Sequence, residues 1–356
     1  MITLVMLVVS LSLLIIVHEL GHFYSARFLK VKVEEFGFGF PPKVYSRVKN
    51  GIRYSINLLP LGGFVKIFGE HGEGENSHES FSSRPAWQRM IILGAGVGMN
   101  IVLAWVFFSV GAAVGTPQVS DDAHSGLPIS IIGILPRSPA EQRGLRFGDQ
   151  IIELRSGEMS LRVESEKDVS DFVDGYRGEE ITMIIRRAGN AQEIKVTPRV
   201  RMPEGEGPLG ISMGRLSSVR VAWYKAPFVG AQVVAETLVA IVSGLGVIIR
   251  EFFWYRHTDV AVSGPVGIYF FGRDIQALGF SYILQFVGML SVNLAVLNAL
   301  PIPALDGGRM FFILIEKLRG SRVNPRLENM AHSIGFAVLI LLMVLVTYKD
   351  LLTVLS

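Results

Sequence analysis

His18-Glu19-Leu20-Gly21-His22 sets two imidazoles four residues apart with a carboxylate beside the first. On a helix, positions i and i+4 share a face, so both rings can reach one metal ion while Glu19 stays free to move a proton. The pattern implies metal-assisted hydrolysis with zinc as the expected ion. The chain has no cysteine, so every ligand must be His, Asp or Glu. In soluble proteins many such matches are simply exposed helix residues. This one stands inside a long apolar run, where ionisable groups are costly unless paired, ligated or hydrated. Catalytic zinc takes three protein ligands and keeps one position open. Asp306 is the candidate for the third. It lies in Asn298-Ala299-Leu300-Pro301-Ile302-Pro303-Ala304-Leu305-Asp306-Gly307-Gly308, where two prolines break the preceding helix and deliver a carboxylate near its inner end. The alternative role for Asp306 is the N-cap of a helix from Gly307 to Leu318.

The elements that must position these groups are membrane spans. Of 356 residues, 50% are hydrophobic and only 18% charged, and the mean hydropathy of +0.42 is too high for an ordinary soluble chain. The net charge of +3 is small and its basic residues are scattered, so nucleic acid is not an expected partner. Four runs are long and apolar enough to cross a bilayer: Ile2 to Leu29, Met90 to Val114, Phe280 to Leu300 and Ala331 to Val346. The first lacks the basic front and small-residue cleavage site of a signal peptide and reads as a retained span.

Ten Lys or Arg lie from Arg27 to Arg89 and five from Arg309 to Arg326, with none in residues 1–26, so both loops are expected on the cytoplasmic side. The stretch between the second and third spans is then outside, with both termini. The apolar segment Phe228 to Ile249 carries Gln232, Glu236 and Ser243. A fifth span there would reverse the next one and part Asp306 from His18, so residues 228–255 are expected as an amphipathic helix in the outer leaflet. Between Leu127 and Val200 charges return, with short β-rich runs at Ile129–Leu135, Gln150–Leu154, Ile181–Arg186 and Glu193–Thr197, which reads as a small α+β domain.

The H-E-x-x-H in the first span, the N-x-x-P-x-P-x-L-D-G stretch and the single inserted domain together resemble the site-2 protease family of intramembrane zinc metalloproteases. The pattern is nearest the bacterial regulator of sigma-E protease group. Glu35-Phe36-Gly37-Phe38-Gly39-Phe40, Leu59-Pro60-Leu61-Gly62-Gly63-Phe64-Val65-Lys66 and Ser263-Gly264-Pro265-Val266-Gly267-Ile268 extend the resemblance over nearly the whole chain. It implies one zinc ion on His18, His22 and Asp306, Glu19 as catalytic acid and base, and Asn298, Pro301 and Pro303 in the motif that holds the substrate strand. Leu58 to Ile67, with Leu61, Gly62 and Gly63 at its turn, resembles the family's membrane-associated hairpin, whose edge would pair with unwound substrate. The alternative is an ordinary hairpin packed on the spans. Asn100, after the close-packing Gly94, Gly96 and Gly98, would stand near the active site or make an interhelical hydrogen bond.

Ser138 to Ile152 resembles a bacterial PDZ domain, which binds extended peptides or C-terminal tails. The group's best-known member has two PDZ domains, and this chain has length for one. The expected architecture is therefore a polytopic α-helical membrane protein with four transmembrane helices, a membrane-associated β-hairpin and an inserted α+β PDZ domain. Its regions are 1–115, 127–200, 225–275 and 280–356. The implied place is a bacterial cytoplasmic membrane, with the site toward the cytoplasm, the PDZ domain outside and lipid all around. The implied substrates are transmembrane proteins, already trimmed by another protease or not, of the anti-sigma-factor type. Clearance of remnant signal peptides is the alternative, and a non-catalytic PDZ scaffold or a metal transporter are the rivals from other classes. Asp306 is the only acidic residue at the inner end of a span other than Glu19, so aspartyl chemistry has no second carboxylate for a dyad. His71, His78, His124, His257 and His332 have no partner at metal spacing and read as solvated.

Overall fold

The computed structural model describes residues 2–70, 72, 74, 77–120, 126–135, 138–187, 189–202, 206–254 and 264–355. His71, His124 and His257 lie outside the described residues. In chain order the elements are α1 (Ile2–Phe28), β1 (Val33–Lys49), β2 (Ile52–Ile67), α2 (Ala86–Val114), β3 (Thr116–Ser120), β4 (Ile129–Ile134), α3 (Pro139–Gln142), β5 (Gln150–Ser156) and β6 (Met159–Arg162). There follow α4 (Glu166–Gly175), β7 (Ile181–Arg187), β8 (Asn190–Val196), β9 (Ile211–Val219), α5 (Ala226–Trp254), α6 (Pro265–Leu278), α7 (Phe280–Ala299), α8 (Asp306–Arg319) and α9 (Pro325–Leu355). The chain divides into two compact units. One comprises residues 1–110, 223–272 and 284–356, the other 111–222 and 273–283.

Among the described residues five helices, one more than expected, are long and apolar enough to cross a membrane: α1, α2, α5, α7 and α9. The addition is α5. Within it Gln232 donates to Glu236 one turn on (2.8 Å), and Thr237 and Ser243 return their hydroxyls to the carbonyls of Val233 and Ala240. Hydrogen bonds made within the helix lower the cost of placing such groups among apolar neighbours. Val234 is buried with Ala104, Phe108, Val292 and Val296, and Val233, Leu238, Ile241 and Leu245 pack on that cluster, so α5 lies along α2 and α7.

The N–H groups of Gly264 and Gly267 donate to Asp350 Oδ2 at 3.0 and 2.9 Å. Asp350 lies eighteen residues beyond His332 on α9, about 27 Å along the helix.

The hairpin differs from expectation in its turn. Asn50 (φ 52°) and Gly51 (φ 78°) make the connection, as an Asn-Gly pair between two strands commonly does. Leu59 to Gly63 is where β2 passes from one side of β1 to the other. Residues 35–38 are paired on both flanks, for Phe36 faces Tyr54 and Val65, and Phe38 faces Ile56 and Gly63. Residues 43–49 pair with 52–57. The spatial order is therefore 63–67, 33–38, 53–57, 43–49, and Gly63–Ile67 is an edge. Its base is packed on the helices: Val33, Ile52 and Ile67 are buried with Phe23, Ala26, Ile92, Leu93 and Ile313. Burial alone would raise Glu35, but Lys43 at 2.7 Å, Ser55 and Arg53 outweigh it and hold the carboxyl below its usual range.

The second unit contains a seven-stranded sheet of order β3-β9-β4-β5-β7-β8, with β6 on β5. Its core is Ile129, Ile131, Ile151, Leu154, Val169, Phe172, Ile181, Met183, Ile185 and Val196. All four expected β runs are strands. The domain is wider than residues 127–200, because β9 pairs with both β3 and β4, from Thr116↔Val219 to Ile134↔Ile211. These partners are distant in sequence, and nothing local announces the pairing.

Candidate metal centre and its cavity

The first requirement is that α1 and α2 approach closely at one level, and two glycines provide it. A Cβ on Gly21 would stand 2.4 Å from the Ala95 carbonyl oxygen, and one on Gly96 would stand 2.5 Å from His22 Nε2 and 2.8 Å from His18 Cε1. The imidazoles of His18 and His22 occupy the space that Gly96 leaves. Of the three glycines ahead of Asn100, Gly96 is the one in contact with them. Gly98 has nothing within 4 Å.

The third group arrives from the end of α7. After Ala299 the chain turns through Leu300–Leu305, with Ile302 N–H to Leu300 O and Leu305 N–H to Ile302 O. Gly307 and Gly308 lie so close beneath this turn that a Cβ would meet Leu300 O at 2.1 Å or Ile302 O at 2.4 Å. The N-cap of α8 is Leu305, without a side-chain cap, and Asp306 is the first helical residue. The N-cap role considered for Asp306 is thereby replaced. Its carboxylate is directed at the imidazoles instead.

Asp306 Oδ2 is 2.9 Å from His18 Nε2 and 3.2 Å from His22 Nε2, and the two Nε2 atoms are 3.1 Å apart. Ligand atoms at about 2.0–2.1 Å from a tetrahedral zinc stand about 3.3 Å apart, so this triangle matches the spacing of three zinc ligands. Among the described residues these three form the group with metal-holding geometry. The outer contacts agree. His22 Nδ1 lies 2.9 Å from Ile92 O, which fixes its proton there and leaves Nε2 for a metal. His18 Nδ1 lies 3.3 Å from the Asn100 side-chain amide. The amide nitrogen of Asn100 is the atom placed toward it; with Nε2 on a metal His18 Nδ1–H would donate, and the Asn100 amide would then turn its otherwise unpartnered oxygen to the ring. Ser291 donates to the Asn100 carbonyl at 2.7 Å and ties α7 to the same place.

The sequence matches peptidase family M50 over residues 6–342. The chain belongs to that family, the site-2 protease family. “Putative zinc metalloprotease FN1322” of Fusobacterium nucleatum subsp. nucleatum is 32% identical over 348 residues, covering 98% of each chain. “Zinc metalloprotease RasP” of Geobacillus kaustophilus is 30% identical over 432 residues, covering 97% of this chain and 96% of the relative. Its namesake in Oceanobacillus iheyensis is 28% identical over 439 residues, covering 99% of both.

In this M50 chain the three groups open onto a cavity of about 580 Å³, lined also by Glu19, Phe64, Val65, Ile67, Glu70, Leu93, Ala304, Leu305 and Arg309, and by Asn329, His332, Ser333 and Phe336 of α9. Gly63 brings the hairpin edge to the site: a Cβ there would lie 3.7 Å from Glu19 Cγ, and the Val65 N–H is hydrogen-bonded to Glu19. Gly62 packs on Ile15 and Phe40, while Ser12 holds the Pro60 carbonyl at 2.7 Å. Leu61 lies between them in β2. Asn298, Pro301 and Pro303 shape the turn and are not among the cavity-lining residues.

Sequence reasoning missed the Glu70–Arg309 ion pair and the whole contribution of α9. His332, expected in solvent, is half-buried with its Nδ1 2.8 Å from the Ala304 nitrogen. Helical spacing from Asn329 through His332 and Ser333 to Phe336 was the available signal, a polar face on an otherwise apolar helix.

Proposed function

We propose that this chain is a zinc endopeptidase that cuts transmembrane segments of other membrane proteins within the bilayer, on anti-sigma-factor-type substrates in regulated intramembrane proteolysis. The observation that carries the reading is the convergence of His18, His22 and Asp306 beside Glu19 at one cavity. His18, His22 and Asp306 would hold the metal, and the chemistry it would supply when bound is Lewis acidity. Glu19 takes a proton from the water that attacks the peptide bond and delivers it to the leaving amine. The Ile92 carbonyl keeps His22 in the tautomer that binds through Nε2, and the Asn100 amide, with its oxygen turned to the ring, would do the same for His18.

Gly63–Ile67 offers the substrate an open edge at which an unwound segment adds as a strand, its scissile bond laid against Glu19. A helical segment keeps its N–H and C=O groups internally bonded and cannot make that pairing, so helix-breaking residues near the cut should favour cleavage. The turn built by Asn298, Pro301 and Pro303 supports the opposite wall. Purified protein should contain one zinc per chain and cleave a transmembrane substrate in detergent or liposomes; cleavage that survives stripping of the metal would end the proposal.

Membrane placement follows from the aromatic residues. Tyr24, Phe28 and Trp87 are exposed at one end of the apolar helices, and Trp223, Tyr224 and Phe228 at the start of α5, as expected of interfacial belts. His22 is six residues from Phe28, about 9 Å along α1, so the site lies just beneath the inner face. With basic loops inside, the inserted domain is outside and the membrane is the bacterial cytoplasmic one. Single cysteines placed near residues 78 and 320 should label only from the cytoplasmic side and one near 160 only from outside, in a chain that has no native cysteine. Labelling of position 320 from outside alone would overturn this topology.

The inserted domain, read as a PDZ domain, restricts access to substrates already trimmed outside, and a C-terminal tail docks on it by strand addition. The β9 edge toward β3 is already paired along Arg215–Val219, which confines addition there to the Ile211–Gly214 end. Excision must follow the whole sheet, Thr116 to Val219, replaced by a short linker. The expected result is that a short-tailed substrate is still cut and an untrimmed one becomes cleavable. Loss of short-tail cleavage with zinc still bound would show that the domain is needed for productive binding.

A further inference from the structure

The last helix reaches the centre at a point the proposed mechanism does not use. His332 lies two turns into α9, and its Nδ1 accepts the backbone N–H of Ala304 at 2.8 Å. Ala304 stands two residues before Asp306 with φ of 81°, a conformation that residues with a side chain rarely adopt. Its N–H belongs to no helix or sheet ladder, and a part-buried donor in such a turn needs a partner supplied from elsewhere. Gly335 lets α9 come close enough to supply one, since a Cβ there would stand 2.5 Å from the Pro303 carbonyl oxygen. The same face of α9 therefore holds two consecutive residues of the turn that ends in Asp306.

We propose that His332 is a positioning residue for the metal centre. By taking the Ala304 N–H on Nδ1 it holds the Pro303–Leu305 turn in its left-handed bend, and so sets the Asp306 carboxylate against His18 and His22. The inference rests on the reading of Asp306 as a ligand. An accepting Nδ1 places the imidazole proton on Nε2, so the ring acts here as a neutral acceptor. Partners that orient metal ligands affect metal affinity itself, which separates this role from simple packing of the ring near Phe312, 5.8 Å away.

The test uses the full-length protein in detergent, stripped of metal, with zinc affinity measured by competition against a chromogenic chelator and kcat and KM measured separately. His332→Ala should weaken zinc binding by about 10- to 100-fold and lower kcat more than it raises KM. In His332→Asn the amide oxygen falls near the position of Nδ1, and most of the affinity should return. In His332→Gln it falls near Nε2, and affinity should stay as low as in the alanine variant. If the alanine variant does not fold, the Asn and Gln pair, alike in polarity, carries the comparison. Asp306→Ala runs beside them. Weak zinc binding in Asp306→Ala with wild-type affinity in His332→Ala would overturn this proposal alone. Wild-type affinity in Asp306→Ala would remove the ligand assignment and this inference with it. Rescue by Gln and not by Asn would also overturn it, since the essential contact would then be made from Nε2.

Discussion

Glu19→Gln should retain its zinc and lose peptide-bond turnover by about 10²- to 10⁴-fold, the usual range for removing a positioned acid–base group. The amide keeps the shape of the carboxylate and its place beside Gly63 and Val65, but it cannot take a proton from water or return one to the amine. His18→Ala, His22→Ala and Asp306→Ala should behave differently, losing the metal as well as the activity. Each removes one corner of a triangle whose edges are 2.9–3.2 Å. Metal content and single-turnover cleavage, measured on the same preparations, separate the two classes. Full zinc occupancy in the Asp306 variant would place the third ligand elsewhere. Normal turnover in Glu19→Gln would remove Glu19 from the chemistry altogether.

Gly96→Ala is the second substitution with a large expected effect, because one methyl group enters the centre itself. The added Cβ would stand 2.5 Å from His22 Nε2, 2.6 Å from its Cε1 and 2.8 Å from His18 Cε1, well inside contact distance. Neither ring is free to step aside. His22 is held at Nδ1 by Ile92 and His18 by Asn100, and the helices cannot part easily where Gly21 packs on Ala95. Zinc affinity should fall by about 100-fold, the upper part of the range for disturbed ligand orientation. The control is Gly98→Ala, two residues on, where the new methyl meets nothing within 4 Å. That variant should match the wild type or unfold slightly later, since Ala is the better helix former by about 0.5–1 kcal/mol. Equal zinc affinity in the two variants would show that the approach of α1 and α2 at Gly96 is not what shapes the centre.

The sequence alone determined the parts of this protein that depend on near neighbours. The four-residue spacing of His18 and His22 on a helix, the identity of Glu19 and the candidacy of Asp306 were all legible, because helical geometry projects residues i and i+4 to one side whatever surrounds them. The apolar runs of α1, α2, α7 and α9 were legible for a similar reason, as were the short strands of the inserted domain. The Asn50-Gly51 turn was equally local and was missed in favour of the Leu59–Gly63 stretch, although an Asn-Gly pair between strands was the stronger signal.

Tertiary structure decided what depends on partners far along the chain. His18 and Asp306 are 288 residues apart, and only packing brings their atoms to 2.9 Å. β2 crosses β1 so that Gly63–Ile67 becomes an edge beside Glu19, and β9 returns to pair with β3 and β4 beyond the expected end of the domain. Gln232 donates to Glu236 within α5, a pairing that the helix itself makes. His332 looked solvated until its Nδ1 was found on Ala304. In the other cases the sequence supplies the chemical group, but its partner is chosen by the fold. Strand pairing and helix contacts carry no fixed spacing along the chain, whereas the i, i+4 relation does.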